Sequence, residues 1–319
     1  MRTSLRVVLY LALIFGGPSE AATTFQIPDA ALPDPLILVA YGDMRFTESS
    51  ETAASSPTAR RALVAKIAAE NPAAIFINGD LPFHGIAADY EVYRAETQVW
   101  RDKHLRVYPA LGNHELSACF LSSCLDRWWK AFPELNGLRW YSVAVGSRLV
   151  GIALDSDAPL LPGSAQRTWL EGQIASLEPA VRVVLIVMHH PPVADVQTVK
   201  LVDHNPRANE QALAAYLKTA AAHSAVRFVV SAGHIHNYER LSQDGVTYLV
   251  SGGGGATPYE VDRTAADLYQ DADFPNYHYV RFELRGKTFS GEMIRLQDYT
   301  ARSPSHWQTR DRFEISLQP

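Results

Sequence analysis

The sequence predicts an α/β fold in which two β-sheets belong to a single domain. Through the first two thirds of the 319 residues, short apolar runs alternate with helical patterns, as they do in a largely parallel sheet covered by helices. The last third carries hairpin-like segments and the glycine run 252–255, which favour a second, more antiparallel sheet. Because no linker and no internal repeat separates these regions, we predict one two-sheet domain rather than two domains.

Each predicted element rests on a local pattern. The apolar run 36–41 has the length of a buried strand, and a helix is expected to begin where Pro57 follows two serines, since proline suits the first helical turn. A later helix is expected to begin at Ser164. The predicted strands cover residues 36–41, 73–77, 105–108, 149–154, 182–188, 226–232, 245–250, 278–284 and 288–294. The predicted helices cover residues 57–70, 87–102, 165–178 and 208–222.

Composition and charge exclude several classes of protein. Hydrophobic residues make up 47% of the chain and are spread evenly, unlike those of a disordered or low-complexity protein. The 29 basic and 34 acidic residues give a formal charge of −5, with the two signs interspersed. A nucleic-acid-binding protein usually shows a basic face or tail, so we expect no nucleic-acid footprint. No segment after the N-terminus has the composition of a membrane span.

The N-terminus has the pattern of a processing signal. Arg2 and Arg6 provide a positive start, and residues 7–15 form an apolar stretch too short to span a bilayer. Ser19 and Ala21 place small residues where a signal peptidase reads the chain. We therefore predict a signal peptide at residues 1–22, a mature domain at 23–319, and a secreted or periplasmic location. The alternative is a buried N-terminal helix or strand.

The chain contains two cysteines, Cys119 and Cys124, only five positions apart. In an exported protein such a pair can close a small local disulfide, and we favour that bridge. The alternative is two free thiols. A metal site based on these thiols is not expected, because no further cysteine can join them.

Polar motifs follow the predicted strands at the points where the strands end. In an extended chain alternate residues point to opposite sides, so His234 and His236 share a side and can face one metal centre. Ligands in open α/β sheets gather at the carboxyl ends of strands, which is where these motifs fall. The candidate metal ligands are Asp43, Asp80, Asn113, His189, His234 and His236. This set of oxygens and imidazoles without thiolate suits a pair of divalent ions such as Mn, Fe or Zn.

These motifs resemble the calcineurin-like metallophosphoesterase superfamily. The resemblance covers roughly residues 36–300 and rests on Gly-Asp, Gly-Asn-His-Glu and Gly-His-x-His motifs. The segments 166–171, 233–240 and 252–255 look most like the purple acid phosphatase branch, without the N-terminal β domain of its large plant enzymes. The resemblance implies a single-domain αββα sandwich, which hydrolyses phosphoesters by means of two divalent or mixed-valence metal ions (Fe, Mn or Zn).

The resemblance also implies a role for each ligand. Asp80 is expected to bridge the two metals, with Asp43 and His236 completing a first site. Asn113, His189 and His234 are expected to complete a second site with Asp80. A bridged pair of cations polarises the phosphoryl oxygens and lowers the pKa of a bound water, so that metal-bound hydroxide can attack phosphorus in line.

The same resemblance assigns residues to catalysis. His114 is expected beside the leaving group as a general acid or charge stabiliser, oriented by Glu115. The substrate is expected to be a small-molecule phosphoester. A phosphomonoesterase is favoured by the purple-branch motifs, with a phosphodiesterase of nucleotides or lipid headgroups as the alternative enzyme. The non-enzymatic alternative is a degenerate, single-metal, phosphate-binding protein.

The first site departs from the family pattern at two positions. Arg45 stands where the superfamily usually has a histidine, and Phe83 stands where the purple branch has a metal-binding tyrosine. A guanidinium stays protonated and cannot bind a metal, so Arg45 either clamps a substrate phosphate or pairs with Glu48 or another carboxylate. His84 is a weak candidate to replace the missing ligand, and otherwise a loop residue. Without a tyrosinate at position 83, the protein is expected to be colourless.

The remaining histidines and aromatic residues have less specific surroundings. His190 is expected to pack against or orient its neighbour His189. His204 either touches the substrate or is exposed to solvent. The aromatic residues Trp128, Trp129, Phe132 and Trp140 are expected in the core, with a rim beside the site as the alternative.

Overall fold

A computed structural model describes residues 24–117, 120–195 and 204–317, whose thirteen strands form two sheets. The strands, in chain order, are β1 (Phe25–Ile27), β2 (Leu36–Tyr41), β3 (Ala74–Ile77), β4 (Val107–Pro109), β5 (Tyr141–Val145), β6 (Leu149–Ala153), β7 (Val183–Met188), β8 (Arg227–Ala232), β9 (Tyr238–Gln243), β10 (Val246–Ser251), β11 (His278–Arg285), β12 (Thr288–Leu296) and β13 (Trp307–Ser316). The predicted signal peptide and Cys119 lie outside the described residues, so the peptide and the disulfide stay predictions.

Helices cover the outer faces of the sheets. They are α1 (Pro57–Glu70), α2 (Ala87–Glu96), α3 (Gln98–Asp102), α4 (Leu121–Ala131), α5 (Ala165–Ala175) and α6 (Ala208–Ala222), with short 3₁₀ turns at Asp29–Ala31, His114–Leu116 and Pro133–Leu135. Ser56 caps α1 by accepting a hydrogen bond from the Ala59 N–H, as expected for a helix whose first residue is proline. In the part of the chain that the structure describes, no helix is long and apolar enough to cross a membrane.

The two sheets are mixed. One has seven strands in the order β1-β5-β6-β7-β8-β10-β9, and the other has six in the order β13-β12-β11-β2-β3-β4. Strands β6, β7, β8 and β10 run parallel, as do β2, β3 and β4. The parallel strands of each sheet therefore end at one edge, and the loops that follow them meet there.

Burial of both faces explains why the strands are continuous apolar runs in the sequence. In β7, Val183, Leu185 and Val187 pack into the layer between the sheets. The alternate residues Val184, Ile186 and Met188 pack toward Leu170 of α5 and Leu213 of α6. Both faces are thus buried, and the structure is the predicted single-domain αββα sandwich. Trp128 and Phe132 lie in the core as predicted.

The predicted division of strands between the sheets is wrong in two places. Strands β2, β3 and β4 do not join the β6–β8 sheet, because β2 pairs antiparallel with β11, with Val280 opposite Ala40. Strand β10, which we placed with the C-terminal hairpin, instead lies beside β8. The hydrophobic pattern reports which residues are buried, whereas the partner of each strand is set by long-range packing.

Some element boundaries also differ from prediction. The helix predicted at 87–102 is two helices, because Thr97 leaves helical geometry and its hydroxyl donates to the Tyr93 carbonyl at 2.6 Å. Helix α4 and the strands β1, β5, β9 and β13 were not predicted. Helices α1 and α6 and strand β2 have the predicted bounds.

Candidate metal centre

Five loops from both sheets bring the candidate ligands together. Asp43, Asp80 and Asn113 follow β2, β3 and β4 of the six-stranded sheet, whereas His189 and His234 follow β7 and β8 of the seven-stranded sheet. Hydrogen bonds join the two sides: the backbone N–H of His234 donates to Asp43 Oδ2 at 3.0 Å. The site therefore lies where the carboxyl edges of the two sheets meet, as the strand-end pattern predicted.

The backbone is strained at this place. Asp43, Arg45, Asp80 and His234 have φ angles of 62°, 49°, 52° and 71°, and they are four of the eight non-glycine residues with positive φ in the described parts of the chain. Such conformations cost of the order of 1 kcal/mol or more each and persist where the surroundings enforce them. Asp43, Asp80 and His234 have this conformation two or three positions after the ends of β2, β3 and β8.

Close backbone approach also requires glycine beside these turns. A Cβ on Gly233 would lie 2.4 Å from Asp43 Oδ2, and a Cβ on Gly254 would lie 2.3 Å from the Gly42 carbonyl oxygen. The glycine run 252–255 therefore packs directly against the backbone that carries Asp43.

The second site is centred on His189 Nε2. This nitrogen lies 3.0 Å from Asn113 Oδ1, 3.1 Å from His234 Nδ1 and 3.3 Å from Asp80 Oδ1. Ligand atoms that share one cation at about 2.1 Å lie about 3.0–3.4 Å apart, so this spacing fits a single divalent ion. The structure brings together all four residues predicted for this site.

His190 lies in the same group. Its ring, with those of His189 and His234, offers ligand atoms that all lie within 4.8 Å of one another. His190 Nδ1 faces the Ser156 hydroxyl at 2.8 Å, which leaves its Nε2 for other contacts. The sequence predicted a packing or orienting role for His190, and its place among the ligand atoms was missed.

Backbone carbonyls fix the imidazole tautomers. His189 Nδ1 lies 3.0 Å from the Asn78 carbonyl oxygen, which can only accept, so Nδ1 carries the proton and Nε2 is free to bind a metal. The Asn78 side chain in turn donates to Ser231 Oγ at 3.0 Å across the sheets. Sequence reasoning missed Asn78, although a buried asparagine directly before Gly79 and Asp80 is a signal.

The first site groups Asp43, Asp80 and His236, all buried, with ligand atoms within 4.8 Å of one another. His236 Nδ1 donates to the Thr257 carbonyl, so its Nε2 faces Asp43 Oδ1 at 3.4 Å. Among the described residues, both of these facing atoms are buried and make no hydrogen bond. Buried polar atoms rarely lack partners, so two that converge on one point fit a cation between them.

The surroundings shift the pKa values of the two carboxylates of the site, Asp43 and Asp80, in opposite directions. Burial raises the pKa of Asp43 to about 7, and the nearby Asp80 charge adds to this rise. Burial acts on Asp80 in the same direction, but the charges of His189, His114 and Arg45 outweigh it and lower the pKa of Asp80. Burial also lowers the pKa of His234 well below its usual value and that of His236 to about 3, which keeps both rings neutral and able to bind metal.

Arg45 pairs with Asp80 and not with Glu48. Its Nη2 lies 3.2 Å from Asp80 Oδ2, while Arg45 Nε is buried and has no hydrogen-bond partner among the described residues. Asp80 Oδ1 thus faces the second site, whereas Asp80 Oδ2 faces the guanidinium. Only 13% of the Arg45 side chain is exposed, so its charge is fixed within the site.

Glu115 does not orient the His114 ring, contrary to prediction. Its carboxylate accepts from the backbone N–H groups of Asp80, Leu81 and Gly112, at 3.1, 2.9 and 2.9 Å. It therefore shapes the two loops that carry Asp80 and Asn113. The His114 ring is held instead by the Phe83 carbonyl, which contacts its Nδ1, and the His114 N–H donates to Asp80 Oδ1 at 3.0 Å.

Three other candidate residues have defined places. His84 lies outside the first-site group, with 48% of its side chain exposed and its Nδ1 3.7 Å from Asp89, so it does not replace the missing ligand. The Phe83 ring stacks on His114 at 5.6 Å. His204 is buried rather than exposed, with its ring 4.4 Å from that of His234. This position agrees with the substrate-contacting alternative for His204.

Comparison with known families agrees with the geometry. Residues 39–238, which contain every ligand described above, match the calcineurin-like phosphoesterase family. The chain belongs to this family. It is therefore a metallophosphoesterase, and the two groups of ligand atoms are candidates for the dinuclear centre that the family typically uses. No curated protein matches the chain.

Solved structures share the fold. A purple acid phosphatase from yellow lupin (Lupinus luteus) seeds aligns with a TM-score of 0.69 at 19% identity, over 90% of this chain and 55% of the lupin chain. A dimetal phosphatase from Danio rerio aligns with a TM-score of 0.60 at 14% identity, over 89% and 100%. GAP50, the anchor in the inner membrane complex of Plasmodium, gives 0.60 at 12% identity, over 89% of each chain. This metallophosphoesterase thus spans about half the length of the lupin protein, and these likenesses show the fold alone.

Proposed function

We propose that this metallophosphoesterase is an exported phosphomonoesterase with two metal sites. The observation that carries the proposal is the position of Asp80. Its Oδ1 lies 3.3 Å from His189 Nε2 of the second site, its Oδ2 lies 3.2 Å from Arg45 Nη2, and the carboxylate groups with Asp43 and His236 in the first site. A buried carboxylate between two convergent groups of ligand atoms is the arrangement that a bridged pair of cations requires.

Each of the two proposed metal ions has its own set of protein ligands, and Asp80 belongs to both sets. Asp43, Asp80 and His236 would hold one ion, and Asp80, Asn113, His189 and His234 the other. When bound, such ions supply positive charge for the phosphoryl oxygens and lower the pKa of a water that can act as the nucleophile. Their identity among Fe, Mn and Zn is open, because oxygen and neutral imidazole ligands suit all three.

His114 is the residue that we assign to the leaving group. Its Nδ1 faces the Phe83 carbonyl, and its Nε2 points to Asp80 Oδ2 at 3.9 Å. Nε2 is therefore the ring atom that faces the reaction centre, where it can contact the leaving oxygen. Glu115 acts indirectly, because it fixes the backbone on both sides of this pocket.

A monoester is favoured over a diester by the fixed charge of Arg45. A phosphomonoester carries up to two negative charges near neutral pH, whereas a diester carries one. The guanidinium stays protonated, and among the described residues its Nε makes no hydrogen bond, so it can add a charge-assisted contact to the extra charge of the monoester.

Export is part of the proposal and rests on the N-terminal residues. Positive residues, a short apolar stretch and small residues at the expected cleavage site make up residues 1–22. The cysteine pair at 119 and 124 suits an oxidising compartment. N-terminal sequencing of the mature protein from fractionated cells tests this part, and an uncleaved protein that starts at Met1 in the cytoplasm contradicts it.

One observation favours a second candidate, a phosphate-binding protein with a single metal. Arg45 lies where a first-site ligand is usual, and it already neutralises part of the Asp80 charge. A cation entering this site would be repelled by the guanidinium. The protein would then bind phosphate through Arg45 and one metal at the second site, without turnover.

Metal analysis combined with ester assays separates the two candidates. The purified protein is loaded with Mn²⁺, Fe²⁺ or Zn²⁺, its metal content is measured, and aryl phosphate monoesters and diesters are offered. About two ions per chain with faster monoester turnover support the proposed enzyme, whereas faster diester turnover identifies a phosphodiesterase. One ion per chain and no turnover with any metal identify the binding protein.

A further inference from the structure

Phe83 contacts the two residues that the proposed function places beside the substrate, Arg45 and His114. The Arg45 guanidinium carbon lies over the Phe83 ring, 5.9 Å from its centroid. The His114 ring stacks on the same ring, with the centroids 5.6 Å apart and the planes 19° apart. One half-buried aromatic ring therefore touches both the proposed phosphate-binding cation and the proposed leaving-group residue.

Backbone hydrogen bonds between two loops bring Phe83 and Arg45 side by side. The Arg45 N–H donates to the Asp80 carbonyl at 3.1 Å, and the Phe46 N–H donates to the Leu81 carbonyl at 2.7 Å. The Phe83 N–H donates in the opposite direction, to the Phe46 carbonyl at 3.0 Å. The contact between ring and guanidinium is thus supported by the backbone of both loops and does not depend on the side chains alone.

The loop of Phe83 also packs closely against His114. A Cβ on Gly85 would lie 2.8 Å from the His114 carbonyl oxygen and 2.6 Å from that of Glu115, so the two segments touch through their backbones. The Phe83 carbonyl contacts His114 Nδ1, while the Phe83 ring stacks on the imidazole. The carbonyl therefore sets the tautomer of His114, and the ring sets its plane.

An aromatic ring can hold Arg45 without using its hydrogen-bond donors. The negative face of the ring attracts a guanidinium electrostatically and accepts no N–H group in the process. Arg45 Nη2 and His114 Nε2 both face Asp80 Oδ2, at 3.2 and 3.9 Å. Among the described residues, Arg45 Nε is buried and makes no hydrogen bond. The Phe83 contact thus restrains the cation and leaves that donor for an anion.

We propose that Phe83 is a positioning residue for two functions of the site: its face holds Arg45 for the phosphate, and its stack holds His114 for the leaving group. The inference rests on the proposed function, which assigns those roles to Arg45 and His114. Loss of the ring should weaken phosphate binding and slow the reaction. It should leave the metal content unchanged, because the Phe83 side chain has no ligand atom.

Two substitutions remove the ring and keep an apolar side chain and the backbone carbonyl: Phe83→Leu and Phe83→Met. The matched control is Phe313→Leu, because Phe313 is also half-buried and has the Arg240 guanidinium 5.5 Å from its centroid. Each protein is loaded with Mn²⁺ and its metal content is measured. Inorganic phosphate is then titrated by calorimetry, and kcat and KM are measured with aryl phosphates that have good or poor leaving groups.

The expected effects follow from the two lost contacts. Both Phe83 variants should bind inorganic phosphate about 2- to 5-fold more weakly, as expected for one cation–π contact. For substrates with poor leaving groups, kcat should fall about 2- to 10-fold, as expected for one lost aromatic pair, and for good leaving groups it should hardly change. Phe313→Leu should alter neither phosphate affinity nor the dependence on the leaving group.

Double-mutant cycles test whether the ring acts through these two residues. In the Arg45→Ala background, Phe83→Leu should have no further effect on phosphate affinity, and in the His114→Ala background no further effect on kcat. Full additivity in either cycle would overturn the proposal, as would wild-type phosphate affinity or a wild-type dependence on the leaving group in the Phe83 variants. A purely structural role would lower the melting temperature in Phe83→Leu without moving either readout, which also contradicts it.

The phosphate titrations keep this proposal separate from the proposed function, because they require no turnover. If the wild type hydrolyses no ester, the proposed function fails, and the titrations still decide whether Phe83 holds Arg45. An active phosphomonoesterase whose Phe83 variants match the wild type in both readouts would retain the proposed function and refute the role of Phe83.

Discussion

The two metal sites share Asp80 but differ in what surrounds them. The second site is rich in imidazole: His189, His190 and His234 converge there with the Asn113 amide. The first site has two buried carboxylates, one imidazole and the fixed charge of Arg45. At an effective dielectric constant of about 20, a unit charge about 4 Å away contributes about 4 kcal/mol, so the guanidinium cancels much of the attraction of one carboxylate.

The residues of the first metal site can thus change while the second site keeps its ligands. Neutral imidazoles bind a cation without competition, so the second site should fill first and hold its metal more tightly. The first site combines a cation-binding group with a phosphate-binding group. The following predictions test whether the sites differ in this way.

The largest effect is expected at the second site. His234→Ala should lower the metal content by about one ion per chain and reduce turnover below detection, because the variant loses one of the ligands around a catalytic cation. Metal content is measured by elemental analysis and turnover with an aryl phosphate. His306→Ala is the control, since 80% of the His306 side chain is exposed. Unchanged metal content and rate in His234→Ala would remove this residue from the ligand set.

The next effect concerns the reaction rather than the metal. His114→Ala should retain both ions and lose about 10²- to 10⁴-fold in rate, the usual size of general acid–base assistance. The loss should shrink for substrates with very good leaving groups, which need little help from an acid. If good and poor leaving groups lose the same factor, His114 stabilises charge and does not transfer a proton.

The ligand positions could be predicted from the sequence because they depend on local features. Asp43, Asp80 and Asn113 each follow a short strand, and parallel strands bring such positions to one edge. That argument holds although the strands were assigned to the wrong sheets, because the carboxyl edges of both sheets meet at the site. The αββα arrangement itself came from the family resemblance.

The contacts between loops could not be predicted in the same way. Glu115 accepts from the backbone of Asp80 and Leu81, which lie more than thirty positions earlier in the chain. The Arg45–Asp80 pair and the stack of Tyr259 on His236 likewise depend on how distant loops fold over the sheet edge. Hydrophobic periodicity and motif spacing carry no information about such contacts, so the sequence left two roles open for Arg45 and missed Tyr259.

A smaller effect is expected for Arg45. Arg45→Ala should leave the metal content intact and weaken inorganic phosphate binding by about 1.5–3 kcal/mol, the value of a charge-assisted hydrogen bond. Isothermal titration with phosphate measures it. If Arg45 only neutralises Asp80, the melting temperature should change and the Michaelis constant should not.

Arg45→His tests whether the guanidinium weakens metal binding at the first site. It restores the usual ligand of the superfamily and removes the competing charge, so the first site should bind Mn²⁺ more tightly while the second site is unchanged. Competition with a metal chelator measures both affinities. Equal first-site affinity in the variant and the wild type would show that the site does not lack a histidine.

The smallest expected effect is the absence of a visible absorption band when iron is bound. This prediction tests the first site alone. The colour of the purple branch comes from a tyrosinate bound to ferric iron, and Phe83 has no oxygen to offer. Tyr41 is buried near Tyr93 and Arg60, and its pKa is raised well above the usual value by burial. The Tyr259 ring lies flat on that of His236, with the two centroids 4.1 Å apart. The iron-loaded, oxidised protein should therefore show no strong visible band. If a band appears in the wild type and disappears in Tyr259→Phe, Tyr259 is a metal ligand, and the site differs from the second one by an extra tyrosinate rather than by a guanidinium.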